Sequence, residues 1–361
     1  MKKIRYIGIG VVFICSFLLT SCHQEENIDT EWDQQTVWEK EQIGEHITAD
    51  FSLTESYENS MKMYECDREN VDLSEEKLIE VKENFFSQDG SEYAITEVDN
   101  SGFPSMSLET QDGTFLSMDS DNITGWTKEG DLYNDFIGLG AGVADKLKGQ
   151  DFSETELSFM SREDAESLVR EKLGELLTDL VKIYDICLEA CPVDYFEELF
   201  HVFSDSEKQF MKESTVSHKW SEADELYIAK IIFACDGIPV EDETYAGQSV
   251  GMTVSGAEIY IHSTGIISVS VHGLYPVKDE KEVEILSCGE VLHQSVKTKY
   301  DNIIMQEDLV FTSANLQYEI ISDPMDGKWY LTPVWKFSVQ SDNNQMTDYV
   351  HVNAYTGEIL E

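Results

Sequence analysis

The residues best equipped for chemistry lie at the end of the chain, in YVHVNAYTGEIL (residues 349–360), where His351, Asn353, Tyr355, Thr356 and Glu358 fall within eight positions. Such a set could bind or transfer a proton, yet Val350, Val352 and Ala354 alternate with His351 and Asn353. That period of two is the pattern of a half-buried strand, and Gly357 then supplies the positive φ of a tight turn. Ser74-Glu75-Glu76-Lys77 fits the S-x-x-K spacing in which a lysine activates a serine nucleophile. It also reads as a helix start with Ser74 as N-cap, and no K-T-G companion occurs in the chain.

Metal and phosphate chemistry is equally unsupported. Asp119-Ser120-Asp121-Asn122-Ile123-Thr124 begins like a calcium loop, but Ile123 occupies the fifth position, where an oxygen ligand is needed, and Thr124 replaces the glycine at six. A turn explains it better. GLGAG (residues 138–142) lacks both the dinucleotide fingerprint and a following Lys-Ser/Thr, so a flexible loop between modules is expected there. No histidine falls in HExxH. No catalytic residue, metal ligand or cofactor is therefore expected. Trp329, Tyr330 and Trp335 suit sheet packing or a binding platform. The candidate partner-binding surface is Trp329, Trp335, His351, Asn353 and Tyr355.

The elements that must position these residues begin with a targeting signal. Lys2, Lys3 and Arg5 precede the apolar run from Ile7 to Leu19, which at about 13 residues is short of the roughly 20 a spanning helix needs. Leu19-Thr20-Ser21-Cys22 resembles a bacterial lipobox, which implies cleavage after residue 21 and lipidation of Cys22. Membrane attachment through that lipid, on the extracytoplasmic face, is the expected location. Cleavage would remove three basic and no acidic residues, taking the formal charge from −46 to −49. So acidic a surface repels phosphate backbones, which argues against nucleic acid as a partner. Five cysteines remain, Cys66, Cys187, Cys191, Cys235 and Cys288, and mostly buried free thiols are expected, with a Cys187 to Cys191 bridge as the alternative.

Residues 22–48 carry eight acids and one lysine and read as a tether, to which Trp32 and Trp38 add docking points. Beyond it one unit recurs: a helix opening on serine, followed by strands that close on a glycine hairpin. Ser74 opens the first, with Leu78, Ile79, Lys82, Phe85 and Phe86 at helical spacing before the hairpin at Asp112-Gly113. Ser161 and Asp164 open the second as a capping box, with a largely helical insertion between Cys187 and Trp220 and a turn at Thr264-Gly265. Ser287 and Glu290 open the third, which ends in the hairpin at Gly357. The expected class is α+β, with helices packed on twisted antiparallel meanders. Expected modules are an N-terminal one over 49–150, a central one over 151–280 and a C-terminal one over 281–361.

Pro333-Val334-Trp335 followed by Asn353-Ala354-Tyr355-Thr356-Gly357-Glu358 resembles the ending of PepSY-like domains and YycI-type accessory regulators. With DGIPV (residues 236–240) and STGIIS (residues 263–268) ahead of it, residues 155–361 resemble a family of Gram-positive lipoproteins of unknown function. The resemblance implies a PepSY-like fold, an envelope location and a regulatory role, and carries no catalytic residues. The functional expectation is a lipid-anchored extracytoplasmic protein, not an enzyme, that binds an envelope protein or peptide. A solute- or calcium-binding lipoprotein is the alternative.

Overall fold

The computed structural model describes residues 35–54, 57–67, 72–86, 92–100, 103–119, 122–140, 155–177, 180–240, 256–273, 277–301, 308–323, 327–341 and 344–360. The expected export signal, Cys22 and the first part of the expected tether lie outside them. Among the described residues no helix is long and apolar enough to cross a membrane.

The chain is mixed α and β, with few helices and one large, mostly antiparallel strand network. Helix α1 (Glu75–Phe85) opens where the sequence predicts, because the Lys77 amide donates to Ser74 Oγ at 3.2 Å. That bond accounts for the S-x-x-K pattern, and Lys77 Nζ turns away to Glu80 at 2.9 Å. Strands β4 (Tyr93–Asn100), β5 (Phe103–Thr110), β6 (Phe115–Met118) and β7 (Asn122–Trp126) follow as a meander. Asp119 caps its last turn by accepting from the Asn122 amide at 2.8 Å.

Helix α2 (Lys128–Gly140) includes Gly138 and Gly140, so the expected loop is, as far as residue 140, the end of a helix. Helix α3 (Arg162–Gly174) is capped by Ser161, although Asp164 returns its carboxylate to the Ser161 hydroxyl and not to the backbone, so the full box is not formed. Then come β8 (Val181–Cys191), α4 (Val193–Val202) and the single turns α5 (Asp205–Lys208) and α6 (Glu213–Val216). Strands β9 (Leu226–Cys235), β10 (Ile238–Val240), β11 (Gly256–His262) and β12 (Gly265–His272) complete this half. Because β7 pairs antiparallel with β12, eight strands run side by side in the order β4, β5, β6, β7, β12, β11, β9, β8. One face buries Leu78, Val81, Ala165, Val169 and Leu173 of α1 and α3. The other carries an aromatic cluster of α2 and α4, including Tyr133, Phe136 and Phe196.

The C-terminal part holds β13 (Val277–Glu284), α7 (Cys288–Glu290), which continues through a π-helical turn (Val291–Val296) into α8 (Lys297–Asp301), and β14 (Leu309–Ser322), β15 (Trp329–Ser341), β16 (Asn344–Asn353) and β17 (Ile359–Leu360). Its capping box between Ser287 and Glu290 is complete. Gly113, Gly265 and Gly357 all take positive φ, as their hairpins require.

The tether expectation fails for residues 37–48. Strands β1 (Val37–Gly44) and β2 (Ile47–Ser52) form a hairpin, and β2 lies parallel to β14. Trp38 is 1% exposed and packs on Phe51 at 4.7 Å within the core built on Trp335, Phe337 and Val352. Strand β3 (Ser60–Cys66) likewise pairs with β13 and with the start of β15. Three N-terminal strands thus complete the C-terminal sheet, so the module expected over 49–150 does not close on itself. The acidic composition concealed Trp38, Ile43, Ile47 and Phe51, whose burial outweighs the charged positions facing water.

None of the five described cysteines is in a disulfide, and Cys187 alone is exposed. Cys187 and Cys191 stand four residues apart on one strand, about 13 Å, well beyond disulfide reach. Burial pushes the Cys235 thiol up to about 12.

Candidate functional site

The five residues expected to make a binding surface do not converge. Trp335 is 2% exposed on the face of β15 covered by the C-terminal helix, and its Nε1 donates to the Leu286 carbonyl at 2.9 Å. Its ring meets Tyr57 edge-on at 5.3 Å. His351 pairs with Lys336 across the opposite face and is also 2% exposed, with Nδ1 bonded to Glu319. Asn353 spends its Oδ1 on the amides of Tyr355 and Thr356, at 2.9 and 3.1 Å, forming the turn. Tyr355 is exposed and sits under Lys281 Nζ at 5.1 Å, while Trp329 lies half-buried at the other end of β15. Alternation correctly split these side chains between two faces, but both faces of β15 are covered at Trp335 and His351.

A concave site forms instead at the seam between the eight-stranded sheet and the C-terminal sheet. It is built from the β9–β10 hairpin, whose Asp236-Gly237 turn takes φ of 50° and 81°, the paired positive values of a two-residue hairpin. Asp236 is held in place by the Tyr64 hydroxyl of β3, which donates to Oδ2. Tyr318 of β14 donates to the Lys62 carbonyl at 2.8 Å, so two tyrosines tie three strands together. Burial raises the pKa of both phenols, which stay protonated as donors.

Around these ties opens a cleft of about 500 Å³, with Ser60, Met61 and Lys62 on one wall, Asp236 and Ile238 on the other, and Tyr57, Glu58, Glu282 and Tyr318 completing it. Lys62 is already engaged by Glu280 at 3.0 Å, which raises its pKa, and Glu282 accepts from Ser60 at 2.8 Å. Three carboxylates, Glu58, Asp236 and Glu282, therefore face the cleft with its one lysine committed, an arrangement that favours a cationic visitor. A second hollow of about 260 Å³ shares Tyr57 and Ile238 and reaches Asn315, Leu316 and Gln317 of β14. Tyr184 overhangs it as the extra residue of a bulge in β8, between the pairs Ile183 with Phe233 and Asp185 with Ile232.

Among the described residues no cluster of His, Cys, Asp and Glu is arranged to hold a metal ion. Sequence reasoning missed the cleft because its walls come from residues 57–62, 236–238, 282 and 318. Its one local signal was Asp236-Gly237 between two apolar strands.

No protein-family model matches the chain, and no curated protein matches it. An uncharacterized protein from Eubacterium rectale ATCC 33656, known from its crystal structure, is similar over 88% of this chain and 92% of its own, at 16% identity and a TM-score of 0.57. That likeness shows a shared fold. The Bacillus megaterium YpeB C-terminal domain aligns over 80% of this chain and 96% of its own at 11% identity, with a TM-score of 0.29, too low to establish a common fold.

Proposed function

We propose that this chain is a lipid-anchored extracytoplasmic protein that acts by binding a protein or peptide at the cell envelope and regulates rather than catalyses. The anchor in this reading is Cys22, after the basic, apolar and small-residue run that precedes it. The observation that carries the binding role is the open cleft at the seam, where tyrosine rings and three carboxylates gather on rigid strands. Its residues form hydrogen bonds that fix the walls, Ser60 donating to Glu282 at 2.8 Å and Lys62 to Glu280 at 3.0 Å.

We read the fold as three PepSY-like units, each a helix with its meander: α1 with β4 to β7, α3 with β8, β9, β11 and β12, and α7 with β14 to β17. In support, each of those strand sets is antiparallel, and α1 and α3 pack on β5, β6, β8 and β9.

The reading is tested in cells with the full chain. Labelled palmitate is expected in the wild-type protein and absent from Cys22→Ala, which is released from the membrane. Cross-linking on intact cells is expected to join the anchored protein to a defined envelope partner. Unchanged labelling in Cys22→Ala overturns the anchor, and recovery of no partner above background overturns the binding role.

A further inference from the structure

Strand β14 has a break in its pairing on one edge. Its first residues, Leu309, Val310 and Phe311, lie parallel to Ile47, Thr48 and Ala49 of β2. Farther on, Tyr318 lies parallel to Val240 of β10. Between them, residues 313–317 pair only with β15 on the opposite edge, and Thr312 is the extra residue of a bulge between the pairs Phe311 with Val339 and Ser313 with Ser338. Beyond Ala49, β2 stays with β1 and leaves β14, while Ile238 and Pro239 of β10 pair with β9 alone. The gap is about 20 Å of strand. Alternate residues along it direct N–H and C=O groups toward the gap, where no described strand meets them.

The smaller hollow lies over this edge, touching Asn315, Leu316 and Gln317 from below and Tyr57, Ile238 and Pro239 from above. The larger cleft continues from it past Tyr57 and Ile238 to the carboxylates of Glu58, Asp236 and Glu282. An unpaired edge with a groove over it and acids at one end has the features of a strand-addition site.

We propose that residues 312–317 of β14 accept an extended, lysine- or arginine-bearing peptide segment of the partner as an added strand. The proposal rests on the peptide-binding reading above and names its chemistry. The incoming backbone completes the hydrogen bonds of the β14 edge between β2 and β10. Its side chains alternate between Leu316 and Tyr57 on one face and Asn315 and Gln317 on the other, since neighbouring residues of β14 present opposite faces. A basic side chain leaving the gap reaches the three carboxylates, and the overall charge of −46 draws such a segment in.

The test uses the purified full chain and three blocked hexapeptides: one alternating lysine and valine, the same peptide N-methylated at alternate amides, and one with glutamate in place of lysine. Calorimetry gives affinity, and hydrogen exchange reads the amides of residues 312–317. The lysine–valine peptide is expected to bind and to slow exchange in that segment, with binding lost on N-methylation and at least about tenfold weaker for the glutamate peptide. Equal binding of the N-methylated peptide, or binding without protection of residues 312–317, overturns strand addition. Equal binding of the glutamate peptide overturns the cationic specificity. Absence of binding by all three, with an envelope partner still recovered by cross-linking, overturns this proposal and leaves the binding role standing; absence of both overturns the two together.

Discussion

His351 of β16 and Glu319 of β14 are hydrogen-bonded across the strand between them, with both side chains buried. Glu319 Oε1 also accepts from Gln317 Nε2 at 2.8 Å, and Lys336, the cross-strand neighbour of His351, lies over the Tyr349 ring at 4.6 Å. A polar network thus occupies a buried sheet face, where hydrophobic residues would be the default. Its members are costly to remove singly. Glu319→Ala strands the donors of Gln317 and His351, at about 1–3 kcal/mol for each buried group left unpaired. Replacing both partners, as Glu319→Leu with His351→Leu, is expected to recover most of that loss. Urea unfolding of the two single variants and the double variant measures the difference. A double variant no more stable than Glu319→Ala would show that the pair is not the unit that matters.

Trp38 distinguishes a tether from a structural strand. At 1% exposure and against Phe51, its removal leaves a large cavity between β2 and the C-terminal core, so Trp38→Ala should cost about 3–5 kcal/mol. Thermal unfolding of the wild-type chain and Trp38→Ala should show that loss. No change would return residues 37–48 to the tether.

Gly130 is required by a close approach. Strand β12 carries an extra residue, Ile267, between the pairs Tyr260 with Ser268 and Ile261 with Ile266. The bulge turns the Ile267 carbonyl toward α2, where it accepts from the Thr127 amide at 2.9 Å. A Cβ on Gly130 would stand 1.9 Å from that oxygen. Backbone on both sides cannot yield, so Gly130→Ala should destabilise by at least the 1–3 kcal/mol typical of overpacking, about the upper end or beyond. Gly174, with nothing within 4 Å of an added Cβ, is the control: Gly174→Ala should be neutral or mildly stabilising. Chemical denaturation compares the two.

Acid should weaken the seam between β7 and β12. Burial lowers the pKa of His272 below its ordinary 6.5, with Asp119 and Glu258 opposing. The neutral ring satisfies both nitrogens: Nδ1–H faces Asn122 Oδ1 at 2.5 Å, and Nε2 faces Ser270 Oγ at 2.7 Å. Below pH 6.5 the unfolded chain binds a proton that the folded chain resists, so this contribution is complete above 6.5 and is lost as pH falls toward the lowered folded value. His293, also lowered by burial, acts in the same sense. His46 is raised by its bond to Asp308 and acts oppositely, but it is exposed and weakly coupled. Unfolding midpoints at pH 7.5 and 5.5 for wild type and His272→Gln check this: the variant should lose less stability on acidification, and an unchanged difference would remove His272 as a cause.

Local features of this chain are written in short stretches of sequence. Ser74, Ser161 and Ser287 cap helices, and Gly113, Gly265 and Gly357 turn hairpins, because a cap or a tight turn depends on a few neighbouring residues. Alternation around His351 gave the strand and its two faces for the same reason. Which partner each face meets depends on residues far away in the chain. The pairing of β2 with β14 joins positions some 260 residues apart, and the cleft gathers residues 57–62, 236–238, 282 and 318. Those contacts are fixed by the burial of Trp38, Tyr64 and Tyr318 between sheets, a cooperative outcome that no local window of sequence records. Tertiary structure therefore decided that His351 and Trp335 lie inside, that residues 37–48 are a strand hairpin rather than a tether, and that the open polar ground lies at the seam.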